Sequence, residues 1–230
     1  MFCLNNPGRE LTSLVLGSNK YRRWRKCVES HGNQILQLDI LSVVSRGPGT
    51  WYAAFLDCLL LTLEGNRIRR CVTIRGQSVV VVPIFRCIDD NQLYTVMVEQ
   101  RSICDGALHV GFPAGNGDDG ENLRVTACQE LMEETGLAVS PDDLVALCEG
   151  ITLNSSLSDD LIYFYGFRSD VTRAWLDSID NRSGGLHVEG EYIRVRVFSL
   201  ADCFRMSTTS TLIGLRLIER TFGITVQNLL

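Results

Sequence analysis

The sequence predicts an α/β fold in which helices pack on a mixed sheet. Short β-rich segments recur along the chain, and two helix patterns interrupt them, one of them rich in glutamate. Strands, a helix, more strands and a final helix are the order expected of such a sandwich. The 230 residues, 45% of them hydrophobic, can bury the core of one domain with a small appendage.

The first part of the chain is β-rich and is divided by turn-forming residues. Its predicted strands are Gln34 to Val44, Tyr52 to Leu63 and Asn66 to Ile74. Because the strands are few and joined by short turns, we expect a small antiparallel unit. We therefore assign residues 1–76 to an N-terminal helix and β-rich region, and residues 77–230 to the main domain.

The main domain is predicted to contain two buried strands, Val79 to Phe85 and Leu93 to Glu99, because both are nearly continuous apolar runs. Further strands are expected at Leu108 to Phe112, Leu144 to Cys148, Leu161 to Phe167 and Tyr192 to Phe198. The segment Thr208 to Phe222 has the apolar spacing of an amphipathic helix. These elements supply the sheet and the final helix of the sandwich.

Composition and charge exclude several functional classes. The net charge of −5 and the pI near 5.3 argue against nucleic-acid binding. The most apolar run, Ala53 to Leu63, is too short to span a bilayer and contains Asp57, so we expect no membrane segment. The nine cysteines lack metal-binding spacing and read as reduced thiols, which favours an intracellular location in the cytoplasm or an organelle.

The most informative segment is a glutamate-rich helix, predicted from Glu121 to Thr135. On such a helix Glu130, Glu133 and Glu134 project from neighbouring positions of one face. Like charges at this spacing repel, and a Mg²⁺ ion would remove that penalty, since it binds carboxylates together with substrate phosphate oxygens. A solvated acidic helix is the alternative, but it does not explain the glycine-rich loop before the helix or the glycine after it.

Local residues also support this helix. Asp118 and Glu121 have capping-box spacing at its start, and Gly136 fits the left-handed position at its end. Ala127 is expected to leave room for a ligand beside the glutamates. The apolar stripe predicted to face the core consists of Val125, Cys128, Leu131 and Met132.

This segment resembles the Nudix box, a glycine and a spaced glutamate followed by Arg-Glu-apolar-any-Glu-Glu and a closing Gly-apolar pair. The residues in register with it are Gly115, Glu121, Glu130, Leu131, Glu133, Glu134, Gly136 and Leu137. Gln129 stands where the family has arginine. The resemblance implies an α/β/α sandwich with a mixed sheet, here preceded by the small β-rich region.

The flanks of the box are similar to the branch that hydrolyses ADP-ribose and other nucleoside diphosphate sugars, most of all to plant-type ADP-sugar diphosphatases. The segments that carry this similarity are Val72 to Val79, Val98 to Arg101, Phe112 to Gly115 and Gly184 to Val195. The resemblance implies a nucleotide-sugar substrate. The acidic charge and the lack of a long apolar run predict no nucleic-acid or membrane partner. It also implies a homodimer paired through the N-terminal strands.

Within that branch, the resemblance implies that Glu130 and Glu134 ligate Mg²⁺, or Mn²⁺, by their side chains. Ala114 would add its backbone carbonyl, Glu133 would support the cluster and Glu121 would orient the helix. Gly115, Gln129 and Gly136 would be structural parts of the motif.

The general base and the substrate contacts are less well fixed by the motif. Glu191 best matches the family's late-loop base, with Glu189 as second choice, and both also fit ordinary surface carboxylates. Asp159 and Asp160 lie where relatives carry acidic residues near the substrate, and loop solvation explains them equally well. Trp51 and Tyr52 fit a nucleobase stack, although core packing is the commoner role of such aromatics.

Two departures affect diphosphate binding. The family's phosphate-facing arginine falls at Ser102, one residue after Arg101, and Gly111 replaces an acidic residue. Arg101 would take over that role through a one-residue bulge. The predicted function is Mg²⁺-dependent hydrolysis of a nucleoside diphosphate sugar. The alternatives are a catalytically weak nucleotide-binding module, or a Nudix hydrolase of a dinucleoside polyphosphate or RNA cap.

Overall fold

The structure, a computed structural model, describes residues 2–5, 8–47, 49–102, 105–117, 122–185, 192–204 and 208–224. The chain forms two compact units. The N-terminal unit comprises Met1–Gln77, Gly117–Glu121 and Thr152–Ile162, and the C-terminal unit comprises Ser78–Asn116, Asn122–Ile151 and Tyr163–Leu230. Sequence patterns did not indicate that residues 152–162 group with the first unit.

The N-terminal unit is a four-stranded antiparallel sheet with two helices. In chain order its elements are β1 (Phe2–Asn5), α1 (Arg9–Gly17), α2 (Asn19–Ser30), β2 (Gln34–Gly47), β3 (Thr50–Leu61) and β4 (Arg67–Ile74). The strands lie side by side in chain order, as expected when short turns connect them. The three predicted strands of this region are thus confirmed.

The core of this unit lies between the sheet and the two helices. Its buried members are Val15, Tyr21, Trp24, Val43, Trp51, Ala54, Leu56, Cys58 and Ile74. Trp51 is 8% exposed and packs in this core, with the ammonium of Lys20 5.1 Å from its ring centroid. Core packing is therefore the correct interpretation of Trp51, whereas Tyr52 stays half-buried and bonds through its hydroxyl to Arg75.

Asp159 attaches residues 152–162 to the end of β4. Its carboxylate accepts hydrogen bonds from the backbone amides of Arg75 and Gly76 at 2.7 and 3.2 Å, and from the Arg23 guanidinium at 3.0 Å. Only 6% of the side chain is exposed, and burial raises the pKa of Asp159 although these donors oppose the shift. Loop solvation is therefore wrong as an explanation of Asp159, because the turn after β4 encloses its carboxylate.

The C-terminal unit contains most of the larger sheet. Its strands are β5 (Gln77–Cys87), β6 (Leu93–Arg101), β7 (Leu108–Gly111), β8 (Ala114–Gly117), β9 (Val145–Ala146), β10 (Leu161–Val171), β11 (Ser183–Gly184) and β12 (Ile193–Ser199). Its helices are α3 (Leu123–Thr135), α4 (Arg173–Ile179), α5 (Leu200–Cys203) and α6 (Thr209–Phe222), with a 3₁₀ turn at Pro141–Asp143. The main strand order is β11-β12-β6-β5-β10-β9, with β7 paired to β6 and β8 to β5.

Helices cover both faces of this sheet, as the alternation along β5 requires. On one face, Val79 and Val81 pack against Ala127 and Leu131 of α3. Further along β5, residues of the same face pack against α4. On the other face Val82 contacts α6 at Gly214, and Cys203 of α5 lies 3.7 Å from Met97. The predicted α/β sandwich with a mixed sheet and a small N-terminal antiparallel sheet is confirmed.

No helix in the described part of the chain is both long and apolar enough to cross a membrane.

Candidate active site

The glutamate-rich helix α3 begins two residues later than predicted. Asn122 is its N-cap, and the side-chain oxygen of Asn122 accepts a hydrogen bond from the Arg124 amide at 3.0 Å. The predicted start at Glu121 with an Asp118 cap is therefore wrong, because asparagine beside the first turn satisfies the free amides itself. Asp118 and Glu121 lie outside the described residues. Gly136 ends the helix at φ 73°, as predicted.

The buried face of α3 differs from the apolar stripe that was predicted. Val125 and Met132 are 41% and 51% exposed, and the residues that face inward are Thr126, Ala127, Leu131, Glu134 and Thr135. Ala127 is fully buried against the sheet, so it does not leave room for a ligand. Ala127 and Leu131 of this face pack against the sheet, and Glu134 lies on the same inward side of the helix.

Arg124 holds the first turn of α3 to the segment that follows the helix. Its guanidinium donates to the carbonyl of Leu144 at 2.7 Å and to that of Pro141 at 3.2 Å, and it lies 5.9 Å from the ring centroid of Tyr165. The sequence analysis did not identify this residue. A basic residue in the first turn of a helix opposes the helix dipole, and that is the signal that would have indicated a tertiary role.

Glu130 and Gly115 meet at the start of β8. A Cβ built on Gly115 would overlap the carboxylate of Glu130, so the carboxylate occupies the space that any side chain at this position would fill. Gly115 has no positive φ, and the requirement for glycine is therefore one of space. The motif glycine and the first motif glutamate are thus in direct contact.

Glu134 reaches the same end of β8 from the next turn of the helix. Its Oε2 accepts a hydrogen bond from the Ala114 amide at 2.9 Å, and Glu134 is 8% exposed. The first two residues of β8, Ala114 and Gly115, therefore receive the carboxylates of both Glu130 and Glu134. Glu133 and Gln129 lie on α3 as well, but both are exposed.

The donor set suits a hard divalent cation. Two carboxylates and the peptide group of Ala114 provide oxygen ligands of the kind that Mg²⁺ prefers, with the remaining positions left for water or phosphate oxygens. Among the described residues, no group of three or more His, Cys, Asp or Glu side chains is arranged to hold a metal ion. A cation here would thus be held by the pair of glutamates and the Ala114 peptide group, together with water or phosphate oxygens.

Arg101 ends β6 and is part of a tightly bonded hairpin. Its guanidinium donates to the carbonyl of Gly106, while Asp105 accepts from the Ala107 amide at 3.0 Å and contacts the His109 ring at 2.8 Å. These two contacts of Asp105, first the amide and then the imidazole, lower its pKa to about 2. Arg101 therefore lies exposed in a hairpin whose acidic side chain is ionised.

The bulge proposed for Arg101 is not formed. The pairing of β6 with β7 runs without a register shift from Val98 opposite Gly111 to Arg101 opposite Leu108. The backbone amide of Ser102 bonds to Ala107 within the hairpin and closes it at that position. Regular pairing keeps alternate side chains on opposite faces, so Arg101 does not take the orientation of Ser102.

The other predicted site residues belong to the N-terminal unit or lie outside the described residues. Asp160 belongs to the N-terminal unit, where its carboxylate lies 3.8 Å from the Arg75 guanidinium with 21% of the side chain exposed. Glu189 and Glu191, the two candidate bases, are outside the described residues, as is Glu121.

Comparison with known proteins agrees with this arrangement. A sequence model of the NUDIX domain matches residues 76–209. The chain is 24% identical over 207 residues to Nudix hydrolase 14, chloroplastic, of Arabidopsis thaliana, a match that covers 83% of this chain and 66%, about two thirds, of that relative. The crystal structure of an ADP compounds hydrolase superimposes with a TM-score of 0.58 at 16% identity, covering 83% of this chain and 94% of that chain. At this identity the structural likeness shows the fold alone.

Proposed function

Since the chain belongs to the Nudix hydrolase family, whose domain model covers more than half of it, we propose that it hydrolyses the diphosphate bond of a nucleoside diphosphate sugar of the ADP-sugar or ADP-ribose type. The products are a nucleoside monophosphate and a sugar phosphate. One observation carries the proposal: Glu130 and Glu134 converge on Ala114 and Gly115 at the start of β8.

The chemistry requires charge neutralisation at the diphosphate. When bound, Mg²⁺ or Mn²⁺ supplies that neutralisation and lowers the pKa of water. Glu130 and Glu134 would hold the ion with the Ala114 carbonyl, and exposed Glu133 would support them. Water attacks one phosphorus, the bridging P–O bond breaks, and the bridging oxygen leaves with the other phosphate. Glu191 is the proposed acceptor of the water's proton, with Glu189 as second candidate.

Substrate orientation is proposed to involve Arg101 and Asp160. Arg101 is exposed at a strand end and offers a planar fork that suits phosphate oxygens. Part of this fork is already engaged, because one guanidinium nitrogen donates to the Gly106 carbonyl. This contact, together with Ser102 and Gly111, favours the second candidate function, a nucleotide-binding module with weak or no turnover.

A homodimer is also part of the proposal. Leu36, Leu41 and Phe55 on the N-terminal sheet are each at least 40% exposed, which favours pairing of two copies through this sheet about a twofold axis. Light scattering at micromolar concentration should give twice the chain mass of 25.7 kDa. A measured mass equal to one chain would contradict the dimer.

Product identification tests the function. The purified protein is incubated with ADP-ribose, ADP-glucose, UDP-glucose, GDP-mannose, a diadenosine polyphosphate and capped RNA, with Mg²⁺, Mn²⁺ or EDTA, and the products are identified by mass spectrometry. We expect AMP and a sugar phosphate from the ADP compounds only when metal is present.

Three other results would contradict the proposal. Preferential cleavage of the polyphosphate or the RNA cap would assign another substrate class. Saturable nucleotide binding without turnover would favour the binding module. Full turnover in EDTA would exclude the role given to the two glutamates. The variant Glu134→Gln, prepared in parallel, shows whether any turnover comes from this site rather than from a contaminating hydrolase.

A further inference from the structure

Gly184 in the short strand β11 and Gly185 in the turn after it both contact the last turn of α3. A Cβ on Gly184 would overlap the carbonyl oxygen of Glu134, so the backbone of β11 lies directly against this carbonyl. The next residue, Gly185, donates its amide to the carbonyl of Glu133 at 2.9 Å. Both contacts are thus made with the backbone of the adjacent glutamates at the end of the motif.

The end of a helix needs partners of this kind, because its last four carbonyls have none within the helix. In α3 the amide of Gly136 bonds to Met132 at 2.8 Å, and Gly185 supplies the partner of Glu133. Gly185 has φ +81°, and Gly184 has no space for a side chain. A larger residue at either position would push β11 away from the helix or strain the turn.

The strand itself is held firmly. Gly184 pairs with Ile193 of β12, whose side chain is 4% exposed, and the amide of Val195 bonds to the carbonyl of Arg182 at 2.8 Å. β12 in turn pairs with β6 over seven residues, from Ile193 opposite Gln100 to Ser199 opposite Tyr94. The end of α3 therefore rests on a fixed part of the sheet.

Glu134 is consequently held through its side chain and through its backbone. Its carboxylate bonds to the Ala114 amide, and its backbone carbonyl lies against Gly184. A displacement of the last turn by a fraction of an ångström would lengthen the 2.9 Å bond to Ala114 and move the carboxylate. Residues that orient metal ligands in this way act on metal affinity without touching the ion.

We propose that Gly184 and Gly185 are positioning residues, which fix the last turn of α3 so that the Glu134 carboxylate is set for a divalent cation. The inference rests on the proposed function, because it assumes that Glu134 binds metal. It adds that two contacts determine the position of the Glu134 carboxylate. One is the contact of β11 with the backbone of α3, and the other is the hydrogen bond from Ala114 at the start of β8.

The test is direct Mn²⁺ binding to the purified protein, followed by electron paramagnetic resonance, together with the melting temperature with and without Mn²⁺. Gly184→Ala should raise the dissociation constant for Mn²⁺ by about 10- to 100-fold, the range observed when partners of metal ligands are removed. Gly185→Ala is a second variant, which strains the turn because Gly185 has φ +81°. In activity assays, kcat at a fixed low metal concentration should fall while KM for the nucleotide changes by less than about twofold.

Gly166→Ala is a milder control for the crowding of a backbone carbonyl. A Cβ there would lie 3.1 Å from the carbonyl of Val82, so it also crowds a backbone carbonyl, but on β10 rather than at the end of α3. It should lower stability and leave Mn²⁺ affinity unchanged. Equal Mn²⁺ affinity in Gly184→Ala and the wild type would overturn the inference, as would an equal loss in Gly166→Ala. Absence of Mn²⁺ binding in the wild type would instead overturn the proposed metal role itself.

Discussion

The Ala114 amide and the Glu134 carboxylate are joined by a hydrogen bond of 2.9 Å across 20 residues of sequence. This bond links the first residue of β8 to the last turn of α3. Glu130 lies against the neighbouring Gly115, so the first two residues of β8 receive two carboxylates that are one helical turn apart. The spacing of the two glutamates in the motif therefore matches two consecutive positions of this strand.

Glu134→Gln tests the charge of this carboxylate. Glutamine keeps an oxygen that accepts the Ala114 hydrogen bond, so the fold and the metal-free melting temperature should be retained. The variant lacks the charge that a cation requires, and we expect kcat to fall by at least about 10²-fold. Steady-state kinetics with Mg²⁺ and with EDTA measure this fall in kcat.

Glu149→Gln, which neutralises an exposed carboxylate outside α3, should keep wild-type rates. Turnover of Glu134→Gln within threefold of wild type would count against the assignment.

Gly115→Ala tests the contact with Glu130. The added methyl would overlap the Glu130 carboxylate, which must move, and we expect the Mg²⁺ concentration for half-maximal activity to rise by about 10-fold or more. Gly111→Ala is the control, because its Cβ meets no atom within 4 Å and neither glycine has a positive φ. Magnesium titrations of the two variants decide the matter. The same Mg²⁺ requirement in both would show that the space at Gly115 does not position Glu130.

The sequence predicts those structural elements that are determined by residues within the element or next to it. The predicted strands and the end of α3 at Gly136 follow from alternation and turn chemistry, which act within a few residues, and they are confirmed. The short strands β1, β8 and β11 were not predicted. The start of α3 was misplaced because Asp118 and Asn122 are both good caps, and only the structure selects Asn122.

Tertiary contacts account for the other differences. The side of α3 that packs on the sheet carries Ala127 and Leu131, while Val125 is exposed, because the contact with the sheet decides which side of the helix is buried. Asp159 is buried by the turn at Arg75 and Gly76, more than eighty positions earlier in the chain. No local pattern indicates such a partner. The contact of Gly184 with α3 is likewise invisible in the spacing of the motif.

Asp159→Asn tests the cost of the buried carboxylate through the pH dependence of stability. Burial raises the pKa of Asp159 above its ordinary value of 3.8. Between that value and the raised pKa the folded protein binds more protons than the unfolded chain, so the free energy of unfolding falls as pH rises. Asparagine retains an oxygen for the Arg75 and Gly76 amides and does not titrate. We therefore expect the wild type to lose stability relative to the variant as pH rises from about 4.

Urea unfolding of both proteins at several pH values from acid to neutral measures this difference, and subtraction removes the titration of groups that the two proteins share. Asp177→Asn, at an exposed position of α4, controls for the loss of one charge. Its difference from wild type should not follow the same trend. A difference between wild type and Asp159→Asn that is constant with pH, or that grows in favour of the wild type, would contradict the prediction.

Gln129→Arg tests the clearest break from the family pattern. Gln129 is exposed on α3 and lies one turn before Glu133, so an arginine there forms a surface pair with Glu133 and adds positive charge beside Glu130. A surface pair is worth only about 0.2–0.5 kcal/mol, which corresponds to a rise of about 1 °C in the metal-free melting temperature of a chain of this size. The charge reduces repulsion among the glutamates, so their alignment should depend less on bound cation, and the Mg²⁺ concentration for half-maximal activity should fall.

Gln129→Lys adds the same charge without the planar fork and separates charge from geometry. Melting curves without metal and Mg²⁺ titrations of the three proteins decide between the outcomes. Identical titrations would show that glutamine is a neutral replacement at this position, and a lower Mg²⁺ requirement in the arginine variant alone would show that the fork holds the carboxylates in place.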